Sequence, residues 1–403
     1  MKARTIEDGD AVNVRTVQGG DAKGDAVKAY LPFTRPAIDE ATIRDVADVL
    51  RSGWITTGPL VSKFEAALSA YVGGDRHVRT FTSATAALEI ALVAAGIGAR
   101  DEVIVPAMSF AASANVVLRV GAIPVFVDVG LRSRNIDVAQ IESAITPRTR
   151  AIMPVHFAGL PVDLEAVYAI AARHNLRVVE DAAHAIGSAL RGARIGSIGD
   201  IVCFSFHANK NLTTIEGGAL VTPDATLLPV IEQQRFHGIR RTAEGEVDVV
   251  SAGGKSNFSD VSACIGLAQL AQLEAFNARR RSLAQRYFRL LVEEDGVLLP
   301  EQADTDHSWH MFTVLIDYGR FGFTRPSFQR AMHERGIGTG VHYPSIPSLT
   351  LYRQLGYVPE RWPNALRIGR EIVTLPLFPA MRDDDVDRVV ETLWQVLRSG
   401  RVR

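Results

Sequence analysis

Residues 204–220 read FSFHANKNLTTIEGGAL. An apolar run that includes Val202 and Cys203 stops short of a single lysine, Lys210. A Glu-Gly-Gly then leads into the apolar ALVT at 219–222. Runs of this kind are strands covered on both faces. The paired Gly217 and Gly218 permit a tight backbone turn. We therefore expect Lys210 on a loop between two strands, in a cleft. Desolvation there would lower the pKa of its amine and make it a nucleophile and base.

Working outward, strands and helices alternate. HVRTF, EVIVPA, PVFVDV, TRAIMPVHF and RVVEDAA read as strands. ATAALEIALVAAG, residues 109–121, VAQIESAI and DLEAVYAIAARHN read as the helices between them. Two amphipathic helices precede the series, one of them stopped by Gly53. Such alternation predicts a mainly parallel sheet with helices on both faces. Near residue 250 the pattern changes to a long helical stretch, then to HMFTVLIDY, PSFQRAMHERG and a last helix over 383–397. The expected organisation is a large domain over 29–275 and a smaller α+β domain over 276–403. Residues 1–28 are Gly- and Asp-rich without periodicity, and read as a poorly ordered extension.

Composition narrows the function. Across 403 residues, Lys plus Arg number 44 and Asp plus Glu 45. This balance offers no basic patch for nucleic acid and no polybasic surface for a membrane. No apolar run reaches spanning length and no signal-peptide core opens the chain, so a cytoplasmic location is expected. The 2 cysteines, Cys203 and Cys264, read as buried thiols. No Cys/His cluster has metal-ligand spacing, so no metal is expected.

In an open α/β sheet, sites form outside the carboxyl ends of the strands. Asp181, His156, Phe110, the trio Ser83-Ala84-Thr85 and Lys210 all fall at such ends. Taken singly, each has an ordinary reading: a turn aspartate, structural histidines at 156 and 184, a core phenylalanine, a plain helix cap, a surface lysine. Their joint order suits one chemistry, that of pyridoxal 5′-phosphate (PLP). An amine condenses with the aldehyde, a carboxylate keeps the pyridine nitrogen protonated, a helix N-terminus takes the phosphate, and an aromatic ring stacks on the pyridine.

The segments SATAALEIAL, VIVPAMSF, VEDAAHAIG and FSFHANKNLTTIEGG, in that order, resemble the DegT/DnrJ/EryC1/StrS family of sugar-nucleotide aminotransferases. The resemblance runs from about Leu31 to the C-terminus. It implies the type I PLP-dependent aminotransferase fold, a homodimer with shared active sites, and PLP as cofactor. It places Lys210 on the Schiff-base lysine and Asp181 on the partner of the pyridinium nitrogen. His184 falls where the family faces the cofactor's phenolic oxygen or the substrate, and Phe110 on the stacking aromatic. Ala84, Thr85 and Ser205 match phosphate-binding positions. GGKSNFSD matches a loop that reaches the partner's phosphate site, with Asn257 where many members carry Arg or Lys.

Within the family, LPFTRPA, SGWITTGP, AITPRTRAIMPVHFAG and ERGIGTGVHY resemble the UDP-4-amino-4-deoxy-L-arabinose–oxoglutarate aminotransferases. The resemblance implies ping-pong transfer of an amino group from L-glutamate, giving 2-oxoglutarate, to a UDP-linked 4-keto-pentose for lipid A modification. HYPSIPSLTLY lacks the histidine that the family often carries a few residues after HYP, so the substrate side of that loop differs. The alternatives are the same chemistry on a 4-keto-6-deoxyhexose nucleotide for another polysaccharide or a glycosylated metabolite, and a non-catalytic PLP-fold regulator. The presence of both Lys210 and Asp181 speaks against the regulator. Lys210 also speaks against a sugar dehydratase, which carries histidine there.

Overall fold

The computed structural model describes residues 30–293, 296–302 and 306–400. The extension expected over 1–28 lies outside the described residues. Asp39 caps helix α1 (Glu40–Ser52) and Gly53, at φ 78°, ends it. Helix α2 (Pro59–Val72) follows. Next come β1 (His77–Phe81), α3 (Ala84–Ala94), β2 (Glu102–Pro106), α4 (Ala112–Arg119), β3 (Ile123–Val127) and β4 (Thr149–Ile152). The chain continues through α5 (Leu164–His174), β5 (Arg177–Asp181) and a small hairpin of β6 (Ala189–Leu190) and β7 (Ala193–Arg194). Then come β8 (Ile201–Ser205), β9 (Gly218–Thr222) and α6 (Leu228–Arg235).

The central sheet has seven strands in the order β1-β9-β8-β5-β4-β2-β3. Its parallel pairs are β2–β3, β2–β4, β4–β5 and β5–β8. Strand β9 alone runs opposite, antiparallel to both β1 and β8. The sheet is thus mainly parallel, with β2, β8 and β9 buried along their full length. The carboxyl ends of β1, β2, β5 and β8 and the start of β9 share one edge, because β9 enters the sheet where β8 leaves it.

Two local expectations are corrected. VAQIESAI is not an α-helix but two short 3₁₀ turns, Val138–Gln140 and Glu142–Ala144. The Asp137 side chain accepts from Ala139 N–H and closes a tight turn. Pro147, just beyond, disfavours helical backbone before it. TRAIMPVHF is a shorter strand than its apolar run predicts. It ends at Ile152, and Pro154, which has no N–H to give the ladder, follows.

A second hairpin, β10 (Ile239–Arg241) and β11 (Val247–Val249), precedes the long helix α7 (Asp260–Leu290). The first half of α7 packs Ala263 and Leu273 against Phe64 and Phe206, in the core beside the large sheet. Its second half packs Leu283 and Tyr287 into another core with Phe312, Val373 and Leu393. That core sits on an antiparallel sheet of β12 (Val297–Leu298), β13 (Phe312–Ile316) and β14 (Ile372–Leu375). Helices α8 (Arg325–Glu334) and α11 (Asp383–Gly400) cover it. Helices α9 (Thr350–Gln354) and α10 (Pro363–Glu371) lie between them in the chain. At its start, α7 offers the Asp260 carboxylate to Val61 N–H at 2.9 Å and Leu60 N–H at 3.2 Å, capping α2 from outside. Cys203 and Cys264 are free and buried. Among the described residues no helix is long and apolar enough to cross a membrane.

Candidate active site

A cavity of about 360 Å³ opens at the shared sheet edge, a size typical of small-molecule sites. Ala84, Thr85, Phe110, Asp181, His184, Ser205 and Lys210 all line it. The topology brings them together. Asp181 and Ser205 are the last residues of β5 and β8, neighbouring parallel strands. Lys210 lies on the loop that turns from β8 into β9.

That loop is held from within. Lys210 N–H donates to His207 O at 2.9 Å, Thr214 N–H to Phe206 O at 2.9 Å, and Phe206 N–H to Gly217 O at 2.8 Å. Asn211 anchors it below, donating to Asn277 Oδ1 on α7 at 2.7 Å and to Ser308 O at 2.8 Å. Burial lowers the pKa of the Lys210 amine to about 8, with the Asp181 charge pulling the other way. A substantial neutral fraction near physiological pH follows.

Asp181 is 5% exposed. Ser113 Oγ donates to its Oδ2 at 2.7 Å and Ala183 N–H to its Oδ1 at 3.1 Å. Burial pushes its carboxyl pKa up, and these two bonds and the Lys210 charge oppose the rise. Ser113 in turn lies 3.0 Å from Ser109 Oγ.

Helix α3 points its N-terminus at the cavity. Ser83 Oγ accepts from Ala86 N–H at 3.1 Å and caps the first turn. The N–H groups of Ala84 and Thr85 have no acceptor inside a helix that starts there. Gly218 serves this helix end and Gly217 the loop beside it, and here the expectation of a tight turn is corrected. Neither Gly217 nor Gly218 has a positive φ. They are needed for close approach: a Cβ on Gly217 would stand 2.3 Å from Thr214 Oγ1, and one on Gly218 2.4 Å from Ala84 N.

Phe110 is 55% exposed and its ring centre lies 5.4 Å from that of Tyr343. His184 accepts from Ala158 N–H at its Nδ1, 3.2 Å away, and its Nε2 lies 3.2 Å from Tyr343 Oη. Two sequence candidates fall elsewhere. His156 is fully buried off the cavity, with Nε2 2.9 Å from Glu180 Oε2 and Nδ1 accepting from Val162 N–H at 3.1 Å. Asn257 is not part of this cavity's lining; its amide donates to Thr57 Oγ1 at 2.6 Å. Sequence reading missed Ser113 and gave Tyr343 no role. The Ser109–Ser113 spacing of four residues at the start of a helix was the available signal for the first.

Lysine amine, buried carboxylate and free helix N-terminus face one cavity. That donor set suits a phosphorylated aldehyde with a basic ring nitrogen, so PLP fits the residues present.

The model of the DegT/DnrJ/EryC1/StrS aminotransferase family matches residues 36–394. The spore coat polysaccharide biosynthesis protein SpsC of Bacillus subtilis (strain 168) is 39% identical over 382 residues, covering 92% of this chain and 98% of that protein. The sugar aminotransferase Spr1654 of Streptococcus pneumoniae, solved in PMP form, superposes with a TM-score of 0.86 at 32% identity, over 93% of this chain and 99% of that one. Spr1654 is also solved in PLP form. PseC of Helicobacter pylori, an aminotransferase involved in the biosynthesis of pseudoaminic acid, gives 0.86 at 29% identity, over 92% of this chain and all (100%) of that one. The chain belongs to the DegT/DnrJ/EryC1/StrS aminotransferase family and is a PLP-dependent sugar aminotransferase of type I fold.

Proposed function

We propose that the enzyme moves an amino group from L-glutamate to a UDP-linked 4-keto-pentose, with Lys210 as both covalent anchor and proton carrier. The observation that carries the catalytic assignment is the Lys210 amine, depressed to about 8 by burial, in one cavity with the buried Asp181 carboxylate. PLP, when bound, supplies an aldehyde for the amine and an electron-accepting ring. Lys210 Nζ, in its neutral form, takes the α-proton of the amino donor and returns a proton to the sugar carbon in the second half-reaction. Asp181 holds a proton on the ring nitrogen, itself oriented by Ser113 and Ala183. Ala84, Thr85 and Ser205 bind the phosphate at the α3 N-terminus. Phe110 covers the ring, and His184 faces the phenolic oxygen or the substrate.

The keto-pentose assignment, with its place in lipid A modification, rests on LPFTRPA, SGWITTGP and ERGIGTGVHY. A 4-keto-6-deoxyhexose nucleotide is the second reading. The names of SpsC and PseC, which concern a spore coat polysaccharide and pseudoaminic acid, favour it. We further propose a homodimer in the cytoplasm, in which Asn257 serves the partner's phosphate site. Its position off its own cavity supports this, as does the exposure of Trp54 (63%) and Phe110.

The test is spectroscopic. The PLP-loaded protein is bleached with glutamate, freed of donor and offered a panel of 4-keto sugar nucleotides. Return of the visible band with the UDP-keto-pentose alone supports the first reading, and return only with a keto-hexose the second. No bleaching by glutamate removes the donor assignment.

A further inference from the structure

Two hydrogen bonds fix where the protons sit on a pair of rings in the cavity wall. His184 Nδ1 accepts the Ala158 N–H at 3.2 Å, so it carries no proton. Ala158 presents that N–H from a left-handed backbone, φ 55°, which a residue with a Cβ adopts only when its surroundings hold it there. A neutral imidazole with a bare Nδ1 has its proton on Nε2. Tyr343 Oη lies 3.2 Å from that Nε2. The imidazole therefore donates and the phenol oxygen accepts. The phenol's own proton is not used on His184, and among the described residues Oη has no other hydrogen-bond partner. Both rings line the cavity.

Packing holds the phenol in place. Phe157 meets the Tyr343 ring edge-on at 6.3 Å, and Phe110 lies against it at 5.4 Å. Beneath, His310 lies 4.6 Å from the His184 ring and bonds through Nδ1 to Asn211 Oδ1 at 3.2 Å, directly after Lys210. Burial pushes the His184 pKa well below the usual histidine value, with the Lys210 and His342 charges adding to the effect. Burial, with the Asp181 charge, pushes the Tyr343 pKa up. Both rings stay neutral through the physiological range.

We propose that Tyr343 is a dedicated hydrogen-bond donor to an oxygen of the keto-sugar acceptor, with His184 as the positioning residue that occupies its lone pair. This rests on the transaminase reading above. The chemistry recognised is an oxygen lone pair, as on the acceptor's carbonyl or hydroxyl.

Two measurements test it. In the full chain without cofactor, ¹⁵N NMR of the histidine rings should show His184, assigned with a His184→Gln variant, as the Nε2-protonated neutral form. An Nδ1-protonated ring overturns the hydrogen-bond direction. In stopped-flow half-reactions, Tyr343→Phe keeps the ring and its packing. It should weaken the keto-sugar half-reaction about 10–100-fold more than the glutamate half-reaction, mainly in sugar KM, as expected when one polar contact to substrate is removed. Equal loss in both halves, or a shifted visible band before any sugar is added, overturns the proposal in favour of a role at the cofactor. If the unmodified enzyme is never bleached by glutamate, the transaminase reading fails instead, and the NMR result still decides the donor direction.

Discussion

Gly218 stands against the first turn of α3 so closely that a Cβ on it would lie 2.4 Å from Ala84 N and 2.5 Å from Ser83 C. Those atoms are backbone, so they cannot swing aside as a side chain can. Gly218→Ala should destabilise the protein by about 1–3 kcal/mol, the usual cost of overpacking. It should also push the α3 N-terminus off its mark and weaken PLP binding roughly tenfold or more, because the helix end supplies charge-assisted contacts to phosphate. Thermal melts and an absorbance titration with PLP check both effects.

The Lys210 amine sets a pH window. Only its neutral form attacks an aldehyde, so incorporation of PLP into the unloaded protein, trapped with borohydride, should rise with pH through about 8. Peptide mapping should find the label on Lys210, and Lys210→Ala should abolish it. A stability effect of defined sign accompanies this. In the unfolded chain the amine titrates near 10.5. The folded state therefore binds its proton more weakly, and the burial cost is present in full below pH 8. It fades as pH rises toward 10.5. Relative to Lys210→Met, the unloaded protein should gain stability over that interval. A parallel pH dependence of the two proteins in denaturant melts would count against it.

His156 is a matter of stability, not catalysis. It pairs with the fully buried Glu180, which also accepts from Tyr168 Oη at 2.7 Å. His156→Ala removes a hydrogen bond to that buried carboxyl and leaves a cavity, and should cost about 2–4 kcal/mol. Activity per folded molecule should be unchanged, as active-site titration against melting temperature would show.

The proposed service of Asn257 to a neighbouring subunit predicts complementation. Asn257→Asp puts a negative charge where a phosphate is expected and should be nearly inactive alone, as Lys210→Ala should be. Refolding the two together should restore about a quarter of the normal rate, since half the dimers of a two-fold pair are mixed and each holds one intact site. No recovery would mean that Asn257 acts only within its own chain.

Much of this was legible in the sequence, for identifiable reasons. The apolar strands and their endings are dictated by burial, so the sequence alone sets Asp181 and Lys210 at strand ends, while Ser205 comes only from the family resemblance. What the sequence hid was set by tertiary approach. Gly217 and Gly218 read as turn residues, and only the close approach of Thr214 and Phe258 to the first and of the α3 backbone to the second shows that missing side chains, not unusual dihedrals, are what the site requires. The Ser109–Ser113 spacing marks Ser113 only as a hydroxyl near a helix start, and its bond to Asp181, 68 positions away, depends on the fold. His156 and His184 have the same chemistry and both follow strands. One is paired with a carboxylate in the interior and the other faces the cavity, a distinction made by Glu180 and Tyr343.

The reversed strand β9 also has a consequence for synthesis. Among the described residues it is the only strand beside β1 in the sheet, and it separates β1 from β8. As the chain leaves the ribosome, β1 emerges early but has nothing to pair with until residues 218–222 follow. The Lys210 loop is closed by that same insertion. Nascent chains ending before β9 therefore hold an unpaired strand and an open Lys210 loop, and the cavity wall is complete only when His342 and Tyr343 follow, late in synthesis.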